Sequence, residues 1–501
     1  MEVSVAAIFI LVAVTMVTVG WRILNWVWVR PKYLERRLRE QGFAGNPYRI
    51  FFGDLKESSM MSKQANSKPI NFSDDISPRV VLIFHHTLEK YEEGRVESFP
   101  SSDFVYVDLH PTTYAEWSSS PCPYVIHPYY PFYEVGGGGA NLQVGEGVAE
   151  MLHAFYQSCN DTISQWERLI GEEGSCELDV WPYIENLTGD VISRSAFGSS
   201  YTEGKRIFQL QKEHAQLLIK VIQSVYIPGW RFLPTKRNKR MKEIDREVRA
   251  LLKGIINKRE RERKAGNAVN DDLLGILMES NSRELRESGN EKNAAMSITD
   301  VIEECKQFYL AGQETTTVLL VWTMVLLSKY PNWQVRAREE VLQVFGKNKP
   351  DFDGLNHLKV VTMILHEVLR LYPPLTLMNR GVEKETKLGN LIIPAGVMIC
   401  LPTILVHRDC ELWGDNAKEF NPERFSEGVL KATKGQLSFF PFGGGPRLCV
   451  GQNFAMMEAK MALSLILQHF SFELSSSYTH APFTILTLQP QFGAHIILHK
   501  L

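Results

Sequence analysis

One cysteine, Cys449, lies in a loop whose residue types suit a metal-binding thiolate. The stretch 442–451 reads Phe-Gly-Gly-Gly-Pro-Arg-Leu-Cys-Val-Gly. Glycine tolerates positive φ and lets backbone approach a partner closely, and proline fixes a turn. A helical pattern starts at Gln452, so backbone N–H groups and the helix dipole are expected to lower the pKa of the thiol. The loop therefore predicts a thiolate that can ligate iron.

A second constellation, Ala-Gly-Gln-Glu-Thr-Thr at 311–316, lies inside a long helical pattern. Phe308, Ala311 and Thr315 are spaced i, i+3 and i+7 and share one face. Gly312 costs a helix about 1 kcal/mol relative to alanine, which indicates a packing or functional need for a thin backbone. A threonine hydroxyl bonds to a carbonyl one turn earlier or, in a kinked helix, gives its proton to a group in the groove. Proton delivery is one interpretation, and close helix packing is the other.

Together the two stretches resemble the cytochrome P450 monooxygenases. The loop matches F-x-x-G-x-R-x-C-x-G and the helix matches A-G-x-E-T-T, whereas a lone cysteine is more often a small buried apolar residue. The resemblance implies that Thr315 is the proton-delivering hydroxyl and Glu314 its acidic relay. It also implies haem b as cofactor, with Cys449 as the iron ligand and Arg447 paired with a propionate. The implied haem contacts are Cys449, Arg447, Arg380, Phe442, Gly445, Gly451, Ala311 and Gly312.

A third motif has a scaffolding character. The pattern 360–372 reads as an apolar helix with Glu367 and Arg370 at i, i+3, closed by two prolines. Such a pair is usually exposed, but the apolar neighbours favour burial, where each charge needs a partner. The resemblance identifies the pair as the family's E-x-x-R. It identifies Arg424, in the P-E-R-F match, as the third member of a structural triad behind the haem.

The resemblance also implies a substrate pocket. Its members are Phe308, Leu375, Leu377, Thr484 and Ile485. They are mostly apolar, which favours a lipophilic substrate. A β-hairpin is predicted over 388–400, preceded by Arg380 where the family often supplies a second propionate partner. Taken alone, an arginine before a strand is more often exposed.

The surrounding elements are mostly helices. Helical patterns cover 150–168, 181–197, 207–225 and 241–263, and a polar surface loop around one short helix is expected over 265–294. Ser297 and Asp300 form a capping-box pattern that opens a helix running to about Lys329. The expected fold is mainly α with small β-sheets (α+β), the cytochrome P450 fold.

Composition excludes one broad function. The 501 residues carry a formal net charge of −2, which gives no electrostatic footprint for nucleic acid. Seven cysteines without zinc-type spacing suit a reducing compartment. Length alone suggests about three domains, whereas the resemblance implies one large helical domain.

The N-terminal residues predict a membrane anchor. Residues 3–21 carry no charge and approach the roughly 20 residues that span a bilayer. Tryptophans and a cluster of basic residues follow, which should stay cytosolic. We therefore expect an anchor at 1–29 and a cytosolic catalytic domain at 30–501, held by one span in the endoplasmic reticulum membrane. A buried core helix is the alternative.

The resemblance fails over about 92–150. That interval is rich in Ser, Pro, Tyr and Gly, and neither a helical nor a strand period is visible. The family's W-x-x-x-R helix is missing, since Trp117 is followed at that distance by Pro121. A phosphate cradle at 136–139 would need a strand before it and a helix after it. Our hypothesis is a shifted reading frame or a mis-joined exon in this interval.

The segment 42–49 is similar to plant clan 72 of the family, the secologanin-synthase-like branch. The implied function is insertion of one atom of O2 into a lipophilic plant metabolite or hormone, such as a terpenoid, with electrons from NADPH–cytochrome P450 reductase. One alternative is a haem-thiolate isomerase or dehydratase that uses no O2. The other is an inactive product of a damaged gene.

Overall fold

The computed structural model describes residues 2–42, 55–82, 84–86, 97–99, 104–106, 144–198, 201–222, 233–265, 272–287 and 296–501. Most of these residues are helical. The helices are α1 (Glu2–Leu24), α2 (Arg30–Arg39), α3 (Leu55–Ala65), α4 (Ser77–Val80), α5 (Val144–Ile170), α6 (Trp181–Phe197), α7 (Tyr201–Ile222), α8 (Lys236–Lys264), α9 (Leu273–Glu287), α10 (Ile298–Lys329), α11 (Pro331–Phe345), α12 (Phe352–His357), α13 (Lys359–Leu371), α14 (Thr403–His407), α15 (Cys410–Trp413), α16 (Val429–Ala432) and α17 (Gln452–His469).

The strands are short and form small sheets. They are β1 (Glu97–Phe99), β2 (Phe104–Tyr106), β3 (Ser175–Asp179), β4 (Met378–Gly381), β5 (Thr386–Leu388), β6 (Leu391–Ile393), β7 (Met398–Leu401), β8 (Phe470–Leu474), β9 (Pro482–Thr484), β10 (Leu488–Pro490) and β11 (His495–Lys500). The strand orders are β1-β2-β7-β4, β3-β11-β8, β9-β10 and β5-β6. This content confirms the predicted mainly α fold class.

Helix α10 is the central helix of the domain. The predicted capping box is present: the Asp300 N–H donates to Ser297 Oγ at 3.3 Å, and the Ser297 N–H donates to Asp300 Oδ2 at 2.8 Å. Every residue from Val318 to Leu327 is buried, as expected for a helix that is apolar all round. The first half of α10 has an accessible face, and that half carries the residues of the candidate site.

Close packing against α6 explains Gly312. A Cβ placed on Gly312 would lie 2.7 Å from Ile192 Cδ1 and 2.8 Å from its Cγ1, which is inside van der Waals contact. Five residues further on, Thr317 Oγ1 lies 2.7 Å from Thr188 Oγ1 of α6. The thin backbone therefore serves helix packing here. Helix α10 continues as an α-helix through Gly312.

The predicted hairpin over 388–400 was wrong. The hairpin joins β5 to β6 across Gly389 and Asn390, whereas β7 pairs with β4 and β2. Pro394 has no N–H to donate, and Gly396 at φ 87 turns the chain away from β6. The predicted hairpin therefore spanned strands of two different sheets.

The interval 92–150 contains the strands β1 and β2, although no strand period is visible in its sequence. Strands β1 and β2 pair antiparallel, and β2 runs parallel to β7 with Phe104 opposite Met398. Each has three residues, too few for a period to be visible. Helix α5 already begins at Val144. The positions of the missing W-x-x-x-R motif and of the glycines 136–139 lie outside the described residues, as does the reading-frame hypothesis.

The other helical predictions agree with α6, α7 and α8 to within a few residues at each end. The polar segment 265–294 contains α9, whose 15 residues make it longer than the expected short helix. Leu274 and Met278 of α9 are buried beside α6 and α8. Two apolar residues one turn apart are enough to dock this helix.

The N-terminal residues form one long helical segment. Helix α1 continues through a π-helical turn, Asn25–Val29, into α2. Apolar side chains of α1 such as Phe9 and Leu11 are exposed. Residues 9–39 are long and apolar enough to cross a membrane, as are residues 298–329 of α10, which are mostly buried in the protein. The exposed apolar surface of α1 is consistent with membrane anchoring.

Helix α2 docks on the β5–β6 hairpin. Leu34 and Leu38 are buried in a cluster with Leu388 and Ile393. The Gln41 side chain exchanges hydrogen bonds of 2.7 and 2.8 Å with the backbone of Ile392. This contact fixes the helix that follows the predicted anchor to the globular domain.

A buried ion pair on α13 connects this helix to the segment that contains Asn421 and Arg424. Arg370 and Glu367 are fully buried and form two hydrogen bonds of 2.7 and 2.8 Å. Arg424 Nε lies 3.7 Å from Glu367 Oε1. The Asn421 N–H also donates to that oxygen, at 2.9 Å. The structure thus brings the predicted triad together, and the carboxylate has partners on each side.

The Arg370 guanidinium also binds backbone carbonyls from the segment 407–419. It donates to His407 O at 2.6 Å, Ala417 O at 2.5 Å and Glu419 O at 3.3 Å. The His407 carbonyl is at the last residue of α14, and those of Ala417 and Glu419 follow α15. One side chain therefore fixes a long irregular segment.

Replacing Arg370 by methionine should strongly destabilise the fold. Glu367 would stay buried without its main partner, and three carbonyls would lose their donor. We expect the free energy of unfolding to fall by about 3–5 kcal/mol. Urea titration of the full-length chain in detergent, followed by circular dichroism, measures this. Lys431→Met, in an exposed pair with Glu427, is the control and should change it by less than about 1 kcal/mol; equal losses would contradict a special role for Arg370.

Candidate functional site

The cysteine loop is closed by its own backbone. The Cys449 N–H donates to Phe442 O at 2.9 Å, and the Gly443 N–H donates to Phe440 O at 2.9 Å. Gly443 and Gly445 have φ of 75° and 68°, in the left-handed region that glycine favours. A Cβ on Gly443 would lie 3.6 Å from Arg447 O and 3.8 Å from Met378 Sδ. The loop is therefore compact and lies against strand β4.

The Cys449 thiol is the accessible end of this loop. Cys449, Leu448 and Val450 are exposed, whereas Gly451 is half-buried. Loss of solvation raises the pKa of the Cys449 thiol, and the Gly451 N–H, which favours the thiolate, offsets only part of that effect. The expected lowering of this pKa was wrong, because the atoms packed around the sulfur remove part of its hydration, and this outweighs the Gly451 N–H. A bound cation would be needed to favour the thiolate.

The donor set fits a metal that brings its own ligands. Among the described ranges, no cluster of three His, Cys, Asp or Glu side chains could hold a metal ion. A single cysteine sulfur could still hold an iron ion that a porphyrin supplies together with its own nitrogen ligands. Cys449 suits such a group, because its loop keeps backbone rather than bulky side chains beside the sulfur.

The two predicted propionate partners lie near this loop. Arg447 is half-buried and ends a short 3-10 helix, Gly445–Arg447. Arg380 lies on β4, two residues after Met378, and its Nη1 donates to Asn379 O at 3.2 Å. Because Met378 touches the loop at Gly443, both arginines belong to the same end of the molecule.

The accessible face of α10 carries Phe308, Ala311 and Thr315. Ala311 is exposed, and the other two are half-buried. Thr315 Oγ1 donates to Ala311 O at 2.6 Å, the i−4 bond that a threonine makes within a helix. A proton on this hydroxyl is therefore held by the backbone until the side chain rotates.

The neighbouring Glu314 hydrogen-bonds to the hairpin that β9 and β10 form, Pro482–Pro490, which we call the C-terminal hairpin. Its Oε1 accepts a hydrogen bond from Thr487 Oγ1 at 2.7 Å and a short one from Gln489 Nε2. Burial raises the pKa of Glu314, and the two donors offset part of the rise. A carboxyl with a raised pKa is suited to proton transfer near neutral pH.

Helix α17 connects the cysteine to α10. Glu458, nine residues after Cys449, is fully buried, and burial raises its pKa well above the usual range. The Thr316 hydroxyl is close enough to favour the charged form. Neither side chain makes a hydrogen bond of normal geometry within the described residues. Thr316, the residue after Thr315, therefore lies beside α17, the helix that follows Cys449.

His407 connects the buried triad to the cysteine loop. Its carbonyl accepts from Arg370, and its Nε2 accepts from the Phe440 N–H at 3.0 Å. Burial, with the positive charge of Arg370, lowers the pKa of His407 to about 3, so the ring stays neutral. A neutral ring has one nitrogen free to accept this bond. The loop is held at Phe440, immediately before the glycines.

The predicted pocket residues lie on segments that hydrogen-bond to each other. Leu375 and Leu377 follow Pro374, whose carbonyl accepts from the Leu488 N–H at 3.1 Å. Thr484 and Ile485 are on the same hairpin as Leu488, and Trp322 Nε1 of α10 donates to Leu488 O at 2.8 Å. The surface is mainly apolar. Thr484 Oγ1 is a buried hydroxyl with no partner in the described part of the chain.

Several site residues were missed by sequence reasoning. They are His407, Glu458, Thr487 and Gln489. Glu458 had a local signal, because it is an acid among apolar residues in the helix after the thiol. The other three had none, since each meets its partner only through the folding of distant segments.

Comparisons with known proteins agree with this geometry. A family model described as Cytochrome P450 matches residues 140–494. Cytochrome P450 72A397 of Kalopanax septemlobus is 55% identical over 96% of this chain and 95% of its own length. The 7-deoxyloganic acid hydroxylase of Catharanthus roseus is 51% identical over 100% of both chains. Secologanin synthase 1 of the same plant is 50% identical over 96% of this chain and 95% of its own.

The neutral histidine predicts a pH dependence of stability. His407 has a folded pKa of about 3, below the unfolded value of about 6.5. Between these values the unfolded chain binds a proton that the folded chain does not, so the free energy of unfolding falls as the pH falls. His366 and His480, with pKa values of about 4 and about 3, act in the same direction.

Replacing His407 by glutamine should flatten this dependence, since an amide keeps an acceptor for Phe440 and does not titrate. We expect the slope between pH 6 and pH 4 to decrease by up to about 1.4 kcal/mol per pH unit. Urea titrations across that range measure it, with exposed His357→Gln as the control. A slope that His407→Gln leaves unchanged would show that His407 is charged in the fold.

Proposed function

The chain belongs to the cytochrome P450 family, in plant clan 72, and we propose that it oxidises a lipophilic terpenoid at the site around Cys449. As a member of this family it is a haem-dependent monooxygenase that uses O2 and a redox partner. The proposal goes further on the substrate class, the residues and the location. Its main support is the thiol of Cys449 at the end of a glycine loop, followed by a helix, α17, whose Glu458 contacts Thr316 of α10.

Haem b supplies the oxygen-insertion chemistry when it is bound. In the proposed arrangement Cys449 Sγ holds the iron, and Arg447 and Arg380 pair with the propionates. Phe442, Gly445 and Gly451 would shape the loop that contacts the haem, and the small side chain of Ala311 would leave room for it on the accessible face of α10. Gly312, which packs on Ile192, supports this face from behind.

Two residues of α10 handle protons. Thr315 Oγ1 gives up its bond to Ala311 O and presents its proton on the accessible face of the helix. Glu314, whose pKa is raised by burial, resupplies the hydroxyl. Glu367, Arg370 and Arg424 take no part in proton transfer. They hold the segment that carries the cysteine loop.

The substrate class is inferred from the pocket and the relatives. Phe308, Leu375, Leu377 and Ile485 favour an apolar skeleton, and the Thr484 hydroxyl can bind one polar group of it. Two relatives at 50–51% identity are a 7-deoxyloganic acid hydroxylase and a secologanin synthase. A terpenoid with an oxygen function satisfies both observations.

We further propose that residues 1–29 anchor the chain in the endoplasmic reticulum membrane. Residues 30–501 would then form the cytosolic catalytic domain and receive electrons from NADPH–cytochrome P450 reductase. The exposed apolar side chains of α1 and the basic helix α2 support this orientation.

Isotope labelling tests the proposed reaction. Full-length chain in microsomes with the reductase is given NADPH, 18O2 and a panel of iridoids and triterpenoids, with 7-deoxyloganic acid among them. We expect one substrate to yield a product that carries one 18O atom and requires NADPH. An unlabelled product formed without NADPH would contradict monooxygenation and indicate an isomerase or dehydratase. A chain that binds no haem would indicate an inactive gene product.

Replacing Thr315 by alanine should uncouple electron use from product formation. The hydroxyl proton is lost, so we expect product per NADPH to fall by roughly tenfold or more, with hydrogen peroxide released instead. Thr315→Ser keeps the hydroxyl and should retain most of the coupling. NADPH absorbance, peroxide assay and mass spectrometry of the product measure the three quantities.

The control for this prediction is Thr323→Ala. Thr323 also bonds back along α10, to Leu319 O at 2.7 Å, but it is buried two turns beyond the site. Normal coupling in Thr315→Ala, or equal uncoupling in Thr323→Ala, would show that Thr315 does not deliver the proton.

A further inference from the structure

The C-terminal hairpin places two hydrogen-bond donors on a single carboxylate oxygen of α10. Glu314 Oε1 accepts from Thr487 Oγ1 at 2.7 Å and from Gln489 Nε2. Gln489 Nε2 also lies 3.4 Å from Thr487 Oγ1. The second carboxylate oxygen, Oε2, has no bond to either donor. This arrangement orients the carboxyl group, since only one of its oxygens faces the hairpin.

The two donors are held in place by backbone contacts of the residue between them. Leu488 O accepts from Trp322 Nε1 of α10 at 2.8 Å, and the Leu488 N–H donates to Pro374 O at 3.1 Å. Thr487 and Leu488 are both buried. The distance between the hairpin and α10 is therefore fixed close to Glu314.

The same hairpin carries residues of the proposed pocket. The Ile485 N–H donates to Thr487 O at 3.2 Å, and Thr484 pairs with Leu488 in the β9–β10 register. A molecule that pushes on Ile485 thus acts on the backbone of Thr487, two residues away. The hairpin therefore connects Ile485 of the proposed pocket to Thr487, a hydrogen-bond donor of Glu314.

Other charged groups near Glu314 are few. Burial raises the pKa of Glu314 most, the Thr487 bond lowers it, Glu185 raises it, and Gln489 and Lys212 lower it. Lys212 Nζ and Glu185 Oε1 form their own ion pair at 2.6 Å. The two neutral donors of the hairpin are left as the main groups that favour the ionised carboxylate.

We propose that Thr487 and Gln489 are positioning residues that hold the Glu314 carboxylate at the C-terminal hairpin and thereby control its transfer of protons to Thr315. The proposal rests on the function proposed above. Each proton that leaves Glu314 for Thr315 Oγ1 is replaced from water, so the carboxyl group ends each cycle as it began.

Two single variants test the proposal. Gln489→Met and Thr487→Val remove one donor each with little change of volume, and Thr487→Ser restores a hydroxyl. Gln468→Met is the matched control, because Gln468 donates only to the carbonyls of Gly346 and Asn348. All are made in the full-length chain, and the haem content of each is checked by its visible absorbance.

The first measurement is an infrared titration of the Glu314 carboxyl band, assigned by its loss in Glu314→Gln. We expect the midpoint to shift to higher pH in Gln489→Met and in Thr487→Val, and to return in Thr487→Ser. Gln468→Met should leave it unchanged. An unshifted midpoint in both donor variants would overturn the proposal. If Thr487→Val does not fold, Gln489→Met decides the result.

The second measurement is product per NADPH as a function of pH. We expect it to fall by about tenfold at neutral pH in the donor variants, with its pH profile shifted in the same direction as the infrared midpoint. The KM for the substrate should not change. A raised KM with normal coupling would show that the hairpin only shapes the pocket, and would also overturn the proposal.

These measurements separate this inference from the proposed function. If the wild-type chain forms no NADPH-dependent product, the proposed function fails, and the infrared titration still shows whether Thr487 and Gln489 hold the carboxylate. If the wild-type chain is active and the midpoint does not move, only the positioning role fails.

Discussion

The buried Arg370 guanidinium is the interaction on which the cysteine loop depends. A charge removed from water is tolerated only when its geometry is well satisfied, and here the partners are Glu367 on the same helix and three carbonyls of the segment 407–419. His407 continues the network to the Phe440 N–H. A loop rich in glycine is flexible by nature, so a rigid base at Phe440 is what gives Cys449 a defined position.

Helix α10 supplies the opposite constraint. Its second half is buried on all sides, and its first half is pressed against α6 at Gly312 and Thr317. This packing fixes α10 against the core, and it therefore fixes the positions of Thr315 and Glu314. Contact between Thr316 and Glu458 joins this helix to α17, which starts three residues after the cysteine. The Thr315 hydroxyl is thus held on one packed helix, and the loop that carries the Cys449 thiol leads directly into the other.

Local signals in the sequence predicted part of this arrangement. Ser297 with Asp300, the glycines before Cys449, and Glu367 with Arg370 each act within a few residues, so their spacing is informative. The bond of Gln489 to Glu314 joins residues 175 apart in the chain, and that of His407 to Phe440 joins residues 33 apart. Hydrophobic periodicity describes one helix or strand at a time, so it cannot predict contacts between such distant residues.

Burial was the other quantity that spacing could not provide. The position before a helix predicted a lowered pKa for Cys449, but removal of the sulfur from water has the larger effect. The same limit applies to β1 and β2, which form because β2 pairs with the distant strand β7 and β1 pairs with β2.

Ligation of iron by the Cys449 sulfur is the central claim of this account. It is tested most directly by the absorption of the reduced, carbon monoxide-bound full-length chain, because a thiolate ligand moves the main band to longer wavelength than a neutral ligand does. Wild-type chain and Cys410→Ser, which alters an exposed cysteine elsewhere, should both show the long-wavelength band, and Cys449→Ser should lose it. Persistence of that band in Cys449→Ser would contradict the account.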